Sequence, residues 1–548
     1  MARQYRADPA RRAAYDVLRA VDDRDAYANL LLPALLTERG LTGRDAAFAT
    51  ELTYGTLRGR GTYDAILDAC SDRDRLDPPV RDVLRLGAHQ LLATKVGAHA
   101  AVATSVDLAK DVCGPRPSGF VNAVLRRLAT RDLDAWIAIV APDPARDPAG
   151  YLSVRHSYPR WIVEAFREAL GAAAAETSDA LAAGNLRPEV VLALAEPRAA
   201  TGPTAGKATA EAAAGAEAAA EAAAGAEAAT GAEAGTGRGP LAAAGTPTRW
   251  SPYGLRLAGG DPTPLVAGGR AAVQDEASQL AALALTRVGL AGRDDLWLDL
   301  CAGPGGKARL LSGLAAARGA RLVASDVRPA RARKVLAALR RGRQTPETQA
   351  PETSAPETSA PETPAATETP AAETGGAPPP GASASASAVI AADGLRVPWQ
   401  PGTFDRVLAD VPCSGLGSLR RRPEARWRKT PADVQGLADL QRRLLESALD
   451  SVRPGGVVAY VTCSPHVAET SEVVTAVVAS RDDVSILDAP AVLAEVPGLR
   501  ADLPEAPEAS ETPGRPDSPV GPRTSRFAQF WPHRHGTDGI FLALLRRG

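Results

Sequence analysis

Leu296-Trp297-Leu298-Asp299-Leu300-Cys301-Ala302-Gly303-Pro304-Gly305-Gly306-Lys307 is the stretch on which the fold turns. A short apolar run breaks at clustered glycines, and Ala308 onward reads as helix, so the stretch is a strand, a tight turn and a helix. Working outward, Arg321–Asp326 reads as a second strand and Ala388–Asp393 as a third. Phe404–Asp410 reads as a fourth and Gly456–Thr462 as a fifth, the last preceded by a helix over Val434–Val452. Strands alternating with helices predict a doubly wound, mainly parallel α/β sheet. Ligands on such sheets bind beyond the carboxyl ends of the strands, so the residues closing each strand are the candidates for function.

The first three strand ends suit an adenosyl cofactor. In Cys301-Ala302-Gly303-Pro304-Gly305-Gly306-Lys307 the glycines allow close approach of a ligand, and the helix that follows offers unpaired N–H groups to an anion. The string does not match a phosphate loop, and Pro304 removes a donor that a pyrophosphate would use, so a smaller methionyl carboxylate fits better. Asp326, closing the second strand, can accept ribose hydroxyls. Asp393, closing the third, can take an adenine amino group. Any single aspartate at a strand end is a common turn residue. Three acids, counting Asp299, in register on one sheet are a stronger signal.

Strands four and five run into Asp410-Val411-Pro412-Cys413 and Thr462-Cys463-Ser464-Pro465, which puts two thiols on the ligand side of the sheet. Cys70 and Cys113 read as small buried hydrophobes, and Cys301 as a packing residue beside the cofactor. Thiols at strand ends have a chemical use. Carbon 5 of a cytosine is a poor nucleophile until a thiolate adds to carbon 6, and a second group then helps to release the product. Either thiol could be the nucleophile on this reading.

At 548 residues the chain is expected to form two or three domains. No apolar run approaches the ~20 residues of a membrane span, and the basic start Met1–Arg11 lacks the apolar segment of a secretory signal. The five cysteines are odd in number and widely spaced, which suggests neither a disulfide framework nor a zinc site and points to a reducing, cytoplasmic setting. Net charge is −1, but residues 200–248 carry −3 and residues 344–387 carry −6, which leaves +8 for the rest. A basic remainder permits contact with nucleic acid. Residues 200–248 are Ala/Gly/Glu-rich and 344–387 repeat Ala-Pro-Glu-Thr, so both read as surface inserts without chemistry, and 501–523 as a further loop. Residues 6–130 show helical periodicity throughout.

Several strings together carry a family resemblance. Glu51-Leu52-Thr53-Tyr54-Gly55-Thr56-Leu57-Arg58 and Phe120-Val121-Asn122-Ala123-Val124-Leu125-Arg126-Arg127 resemble the NusB-like RNA-binding domain. The Pro-Cys and Thr-Cys pair resembles the RNA cytosine-5 methyltransferases of the NOP/Sun family, some bacterial 16S rRNA members of which carry that helical front. Arg155-His156-Ser157-Tyr158-Pro159-Arg160-Trp161, Val273-Gln274-Asp275-Glu276-Ala277-Ser278 and Asp538-Gly539-Ile540-Phe541 are further matches. Gly303 stands where the family usually has alanine, and Ala308 where it has a hydroxyl residue.

The resemblance implies an all-α NusB-like domain over 1–140 and a linker or N-terminal extension over 145–265. It implies a Rossmann-like class I methyltransferase domain over 266–548. It places S-adenosylmethionine among Cys301–Lys307, Asp326, Asp393 and Asp410, makes Cys463 the nucleophile, and gives release of the methylated base to Cys413. Asp410 would also face the cytosine edge. Arg420-Arg421-Arg422-Pro423 and Arg426-Trp427-Arg428-Lys429 resemble the family's basic loop, an expected RNA contact with one aromatic for stacking; the alternative is a solvated charge run. The expected partner is small-subunit rRNA, for a monomer without membrane or metal. Two other readings are a DNA cytosine-5 methyltransferase using Cys413 and a non-catalytic rRNA-binding assembly factor. The helical front and the Thr-Cys strand end speak against the first, and the intact acids and thiols against the second.

Overall fold

The computed structural model describes residues 7–71, 75–197, 245–259, 262–341, 387–496 and 526–548. The front is helical: α1 (Pro9–Arg24), α2 (Ala28–Glu38), α3 (Gly43–Cys70), α4 (Pro78–Ala93), α5 (Ala98–Cys113), α6 (Ser118–Leu128) and α7 (Leu133–Val140). α1 begins where Asp8 caps the Arg11 N–H and Pro9 supplies a preset first turn. Its Val17, Leu18 and Val21 join Leu52 and Ile66 of α3 and Val83 and Leu84 of α4 in one apolar cluster.

Residues 145–265, expected as a linker or extension, contain folded structure. Three helices, α8 (Pro148–His156), α9 (Arg160–Leu170) and α10 (Thr177–Ala183), pack around Tyr158, Ile162 and Phe166. A small antiparallel sheet follows in the order β2 (Gly245–Pro247), β3 (Gly254–Leu257), β1 (Val191–Leu194), β4 (Ala271–Val273), with α11 (Thr263–Ala267) before β4. The insert expected over 200–248 therefore ends too late: Gly245–Pro247 pairs with β3. β2 is an edge strand, where a proline lacking its N–H is tolerated. The rest of that insert, residues 344–386 of the second and the loop 501–523 lie outside the described residues.

The large sheet has the order β10-β12-β9-β8-β5-β6-β7. Its parallel core is β5 (Leu296–Asp299), β6 (Arg321–Asp326), β7 (Ala388–Ala391), β8 (Phe404–Asp410) and β9 (Val452–Thr462). Antiparallel β10 (Val484–Leu487) and β12 (Phe541–Arg547) extend one side, with β11 (Ala528–Gln529) on β12. Alternate residues face opposite layers. Trp297 and Leu408 meet α12 (Glu276–Arg287), α13 (Gly306–Ala316), α14 (Pro329–Arg341) and α17 (Ala489–Ala494). Leu298 and Val407 meet α15 (Pro431–Ser451) and α16 (Ser471–Ala479). A short α18 (Pro532–His535) precedes β12. The chain leaves β5 for β6 and β7 on one side and for β8 and β9 on the other, so a crevice opens at the β5 carboxyl end. Among the described residues no helix is long and apolar enough to cross a membrane.

Candidate active site

The glycine turn after β5 is held from below by β6. The Ala302 N–H donates to the Ser325 carbonyl at 2.8 Å, and the Gly303 N–H to Asp326 Oδ2 at 3.1 Å. A Cβ on Gly303 would sit 2.2 Å from that oxygen, so this glycine permits the closure of Asp326 onto the turn. Gly305 has φ +114°, a conformation that L side chains rarely adopt, and α13 starts at the next residue. Asp326 Oδ1 accepts the Arg328 N–H at 2.8 Å. Asp393, just past β7, is exposed and accepts the Leu395 N–H at 3.0 Å, at the margin of the crevice.

Lys307 reaches across the crevice to Asp410 Oδ2 at 2.9 Å. Burial opposes the lysine's charge, but Asp410 outweighs it and raises the pKa. Below them Asp299 is fully buried, and among the described residues no side chain satisfies its carboxylate oxygens, the Cys301 N–H being the polar group that helps its charge. Burial, reinforced by the charge of Asp410, pushes its pKa up to about 8 from 3.8. Burial likewise raises the Cys301 thiol, so this cysteine stays protonated. Between pH ~4 and 8 the folded Asp299 keeps a proton that the unfolded chain has lost, so stability declines as pH rises through that window. Thermal melts of the ligand-free protein should show a smaller loss between pH 5 and 8 in Asp299→Asn than in the parent. Parallel curves would remove Asp299 from this role.

Cys413 and Cys463 lie beyond adjacent strands β8 and β9, with sulfurs 3.0 Å apart. The hydrogen bond from Cys413 lowers the Cys463 pKa, and the Lys307 cation adds to this against burial and Asp410. Cys413 is raised by the same bond and by burial. Of the two thiols, Cys463 is therefore the one whose ionisation is favoured and Cys413 the one whose ionisation is opposed.

Glu469 joins the two cysteine loops. It is fully buried and accepts hydrogen bonds from Ser414 N–H (2.7 Å), Ser414 Oγ, Ser464 Oγ (2.6 Å) and Gln441 Nε2 (3.1 Å). The Tyr460 hydroxyl donates to its backbone carbonyl at 2.7 Å. A second network ties the Pro-Cys loop to α12 and the β12 approach. Arg420 and Arg421 both bind Asp275 Oδ2, at 3.0 and 2.9 Å, and both bind Asp538, at 2.5 and 2.6 Å.

The sequence residues Lys307, Asp410, Cys413 and Cys463 are thus assembled in one crevice, Asp326 is locked to the turn, and Asp393 stands apart. Glu469 and Gln441 were missed. No motif marks a glutamate six residues beyond Cys463. Asp275 and Asp538 stood only inside strings quoted for resemblance.

The basic segment after Pro-Cys is not simply a solvated charge run: Arg422 is exposed, but several of its neighbours turn inward. Arg426 is fully buried and donates to the Ser157 carbonyl and Asn185 Oδ1, both at 2.9 Å, over the Tyr158 ring at 3.8 Å. Arg428 binds the carbonyls of Val21 (2.9 Å), Asp25 (3.0 Å) and Ala26 (2.7 Å) between α1 and α2. Buried Glu424 accepts the Ala28 N–H at 3.3 Å. Trp427 lies so close to α3 that a Cβ on Gly61 would come within 2.5 Å of its ring. These side chains face the helical front.

The sequence model described as 16S rRNA methyltransferase RsmB/F matches residues 290–355 and 383–546, and the NusB family model matches residues 8–130. A putative methyltransferase of Mycobacterium tuberculosis (strain ATCC 25618 / H37Rv) is 43% identical over 98% of this chain and 97% of its own length. The ribosomal RNA small subunit methyltransferase B of Pseudomonas putida is 30% identical, covering 89% of this chain and 92% of that protein. A crystal structure of PH0851 superposes with TM-score 0.63 at 19% identity over the full length of both chains, a likeness of fold.

Proposed function

The chain belongs to the 16S rRNA methyltransferase RsmB/F family, with a NusB-family domain at its front, and from that premise we propose that it methylates carbon 5 of a cytosine in small-subunit rRNA. The observation that carries this reading is the 3.0 Å contact of Cys413 and Cys463 beside the Lys307–Asp410 pair. Two thiols that close have no use in direct transfer to an oxygen or an amine, but they suit a base activated by covalent addition.

The donor set fits S-adenosylmethionine: N–H groups at the start of α13 for a carboxylate, Asp326 for ribose hydroxyls and Asp393 for an amino group. When bound there, this cofactor supplies an electrophilic methyl group. The chain's own residues do the rest. The target cytosine, swung out of the RNA, meets the Cys463 thiolate at carbon 6, and the new bond makes carbon 5 nucleophilic. Asp410, paired with Lys307, accepts from the cytosine amino edge in this reading. Once carbon 5 carries the methyl group, a base (Cys413 in its ionised form, or a water beside it) takes the carbon-5 proton, that electron pair re-forms the ring double bond, and Cys463 leaves carbon 6 as the thiolate it began as. Cys413, whose sulfur touches Cys463, serves this release.

Cys413→Ala is therefore expected to carry out methyl transfer once and then stop, leaving a protein–RNA adduct stable on a denaturing gel. Mapping of 5-methylcytosine in rRNA exposed to the purified protein identifies the product. An adduct that needs Cys413 and survives loss of Cys463 would reverse the assignment, and methylation of DNA in preference to rRNA would sink the substrate.

A further inference from the structure

The segment from Ser414 to Thr430 is held by the active site at one end and by the helical front at the other. At the near end the Gly417 N–H donates to the Cys463 carbonyl at 2.9 Å, and the Gly417 carbonyl accepts the Gly539 N–H at 2.8 Å. A Cβ on Gly417 would lie 1.8 Å from the Gly539 carbonyl oxygen, so the backbones touch there with no slack. Arg420 and Arg421 then fasten the segment to Asp275 and Asp538. At the far end Glu424, Arg426 and Arg428 reach α1–α2, the α8–α9 junction and Asn185.

The chemistry of that far end is unlike a permanent seam. Arg426 is a cation taken wholly out of water; among the described residues no carboxylate makes a salt bridge with it, although the charge of Glu424 acts on it, and its Nε and Nη2 have no hydrogen-bond partner. Its acceptors, all on Nη1, are the Arg58 and Ser157 carbonyls and the Asn185 amide oxygen. Burying a guanidinium on neutral acceptors is costly compared with an apolar side chain of the same size. Water recovers that cost whenever the helices move away, which weakens docking here relative to an apolar seam. We infer that docking of the helical front controls product release at Cys413, with Arg426 as the positioning residue that transmits it. An RNA held across both units favours the docked arrangement, which keeps the Pro-Cys loop against Cys463.

The inference rests on the release role proposed for Cys413, and the test separates the two. The full chain would be assayed on an unmethylated small-subunit rRNA transcript with labelled S-adenosylmethionine, in single and multiple turnover. Arg426→Ala should keep its first turnover within about threefold of the parent, lose about tenfold or more in steady-state turnover, and accumulate adduct as Cys413→Ala does. Arg426→Lys, which keeps the charge, should recover part of the loss. Arg428→Ala, at a partly exposed position, carries the same expectation if Arg426→Ala does not fold. Equal loss in both regimes, or a raised KM for RNA with kcat unchanged, overturns the inference. If Cys413→Ala itself traps nothing, the reading of Cys413 fails and the inference falls with it. If Cys413→Ala traps an adduct and neither arginine variant does, only the coupling fails.

Discussion

Replacing Cys463 with alanine is expected to abolish methyl transfer to rRNA, by at least ~10³-fold, or about 4 kcal/mol of barrier. No other thiol in the crevice can take over. Burial raises the Cys301 thiol, and burial with the bond to Cys463 raises Cys413. The variant should still bind S-adenosylmethionine, because the Ala302–Ser325 and Gly303–Asp326 hydrogen bonds that hold the turn after β5 do not involve Cys463. It should form no adduct, and the double variant Cys413→Ala/Cys463→Ala should be equally free of adduct. The same measurement separates RNA from DNA chemistry, since the latter would leave Cys463→Ala active and make Cys413 essential. Serine at 463 restores the shape but not the thiolate, so Cys463→Ser should be as inactive as alanine. An active Cys463→Ser would show that the thiol only fills space.

The parallel core was legible because each strand is a short apolar run ending at an acid, a glycine or a cysteine. Arg321–Asp326 and Phe404–Asp410 form with the predicted bounds. The thiol pair was legible because two cysteines close neighbouring strands, although only the fold makes β8 and β9 adjacent. Other features depend on contacts between residues far apart in the chain. Arg420, Arg421, Arg426 and Arg428 read as one charge run, yet their partners lie at Asp275, Asp538, Ser157 and Val21. A buried arginine and a solvated one look alike in sequence. The small sheet was missed for a related reason: β1 and β3 are four residues each, lie on either side of the insert and pair only with each other and with β2 and β4.

Glu469→Ala is expected to cost about 3–5 kcal/mol of stability in the methyltransferase domain, because each buried donor left without an acceptor costs about 1–3 kcal/mol. Four donors lose an acceptor at once; the Ser414 hydroxyl keeps Ser464 Oγ at 3.2 Å and the Gln441 amide keeps the Pro412 carbonyl at 2.9 Å, but the Ser414 N–H and the Ser464 hydroxyl are left without one. Fully buried as they are, these groups find no water without local opening. The consequence for catalysis follows from what they carry. Ser414 follows Cys413 and Ser464 follows Cys463, so the carboxylate sets the separation of the two sulfurs. Displacement by ~1 Å is enough to cost about 10²-fold in rate, and turnover should fall by that order even in samples that remain folded. S-adenosylmethionine affinity should change by less than about threefold, because Gly303 and Asp326 lie on the other side of β5. Glu469→Gln keeps one acceptor oxygen and the volume, and should recover part of both losses. Denaturant unfolding and single-turnover rates, measured on the same preparations, separate the effects. Normal rates in a destabilised Glu469→Ala protein would show that Glu469 supports the fold without placing the thiols.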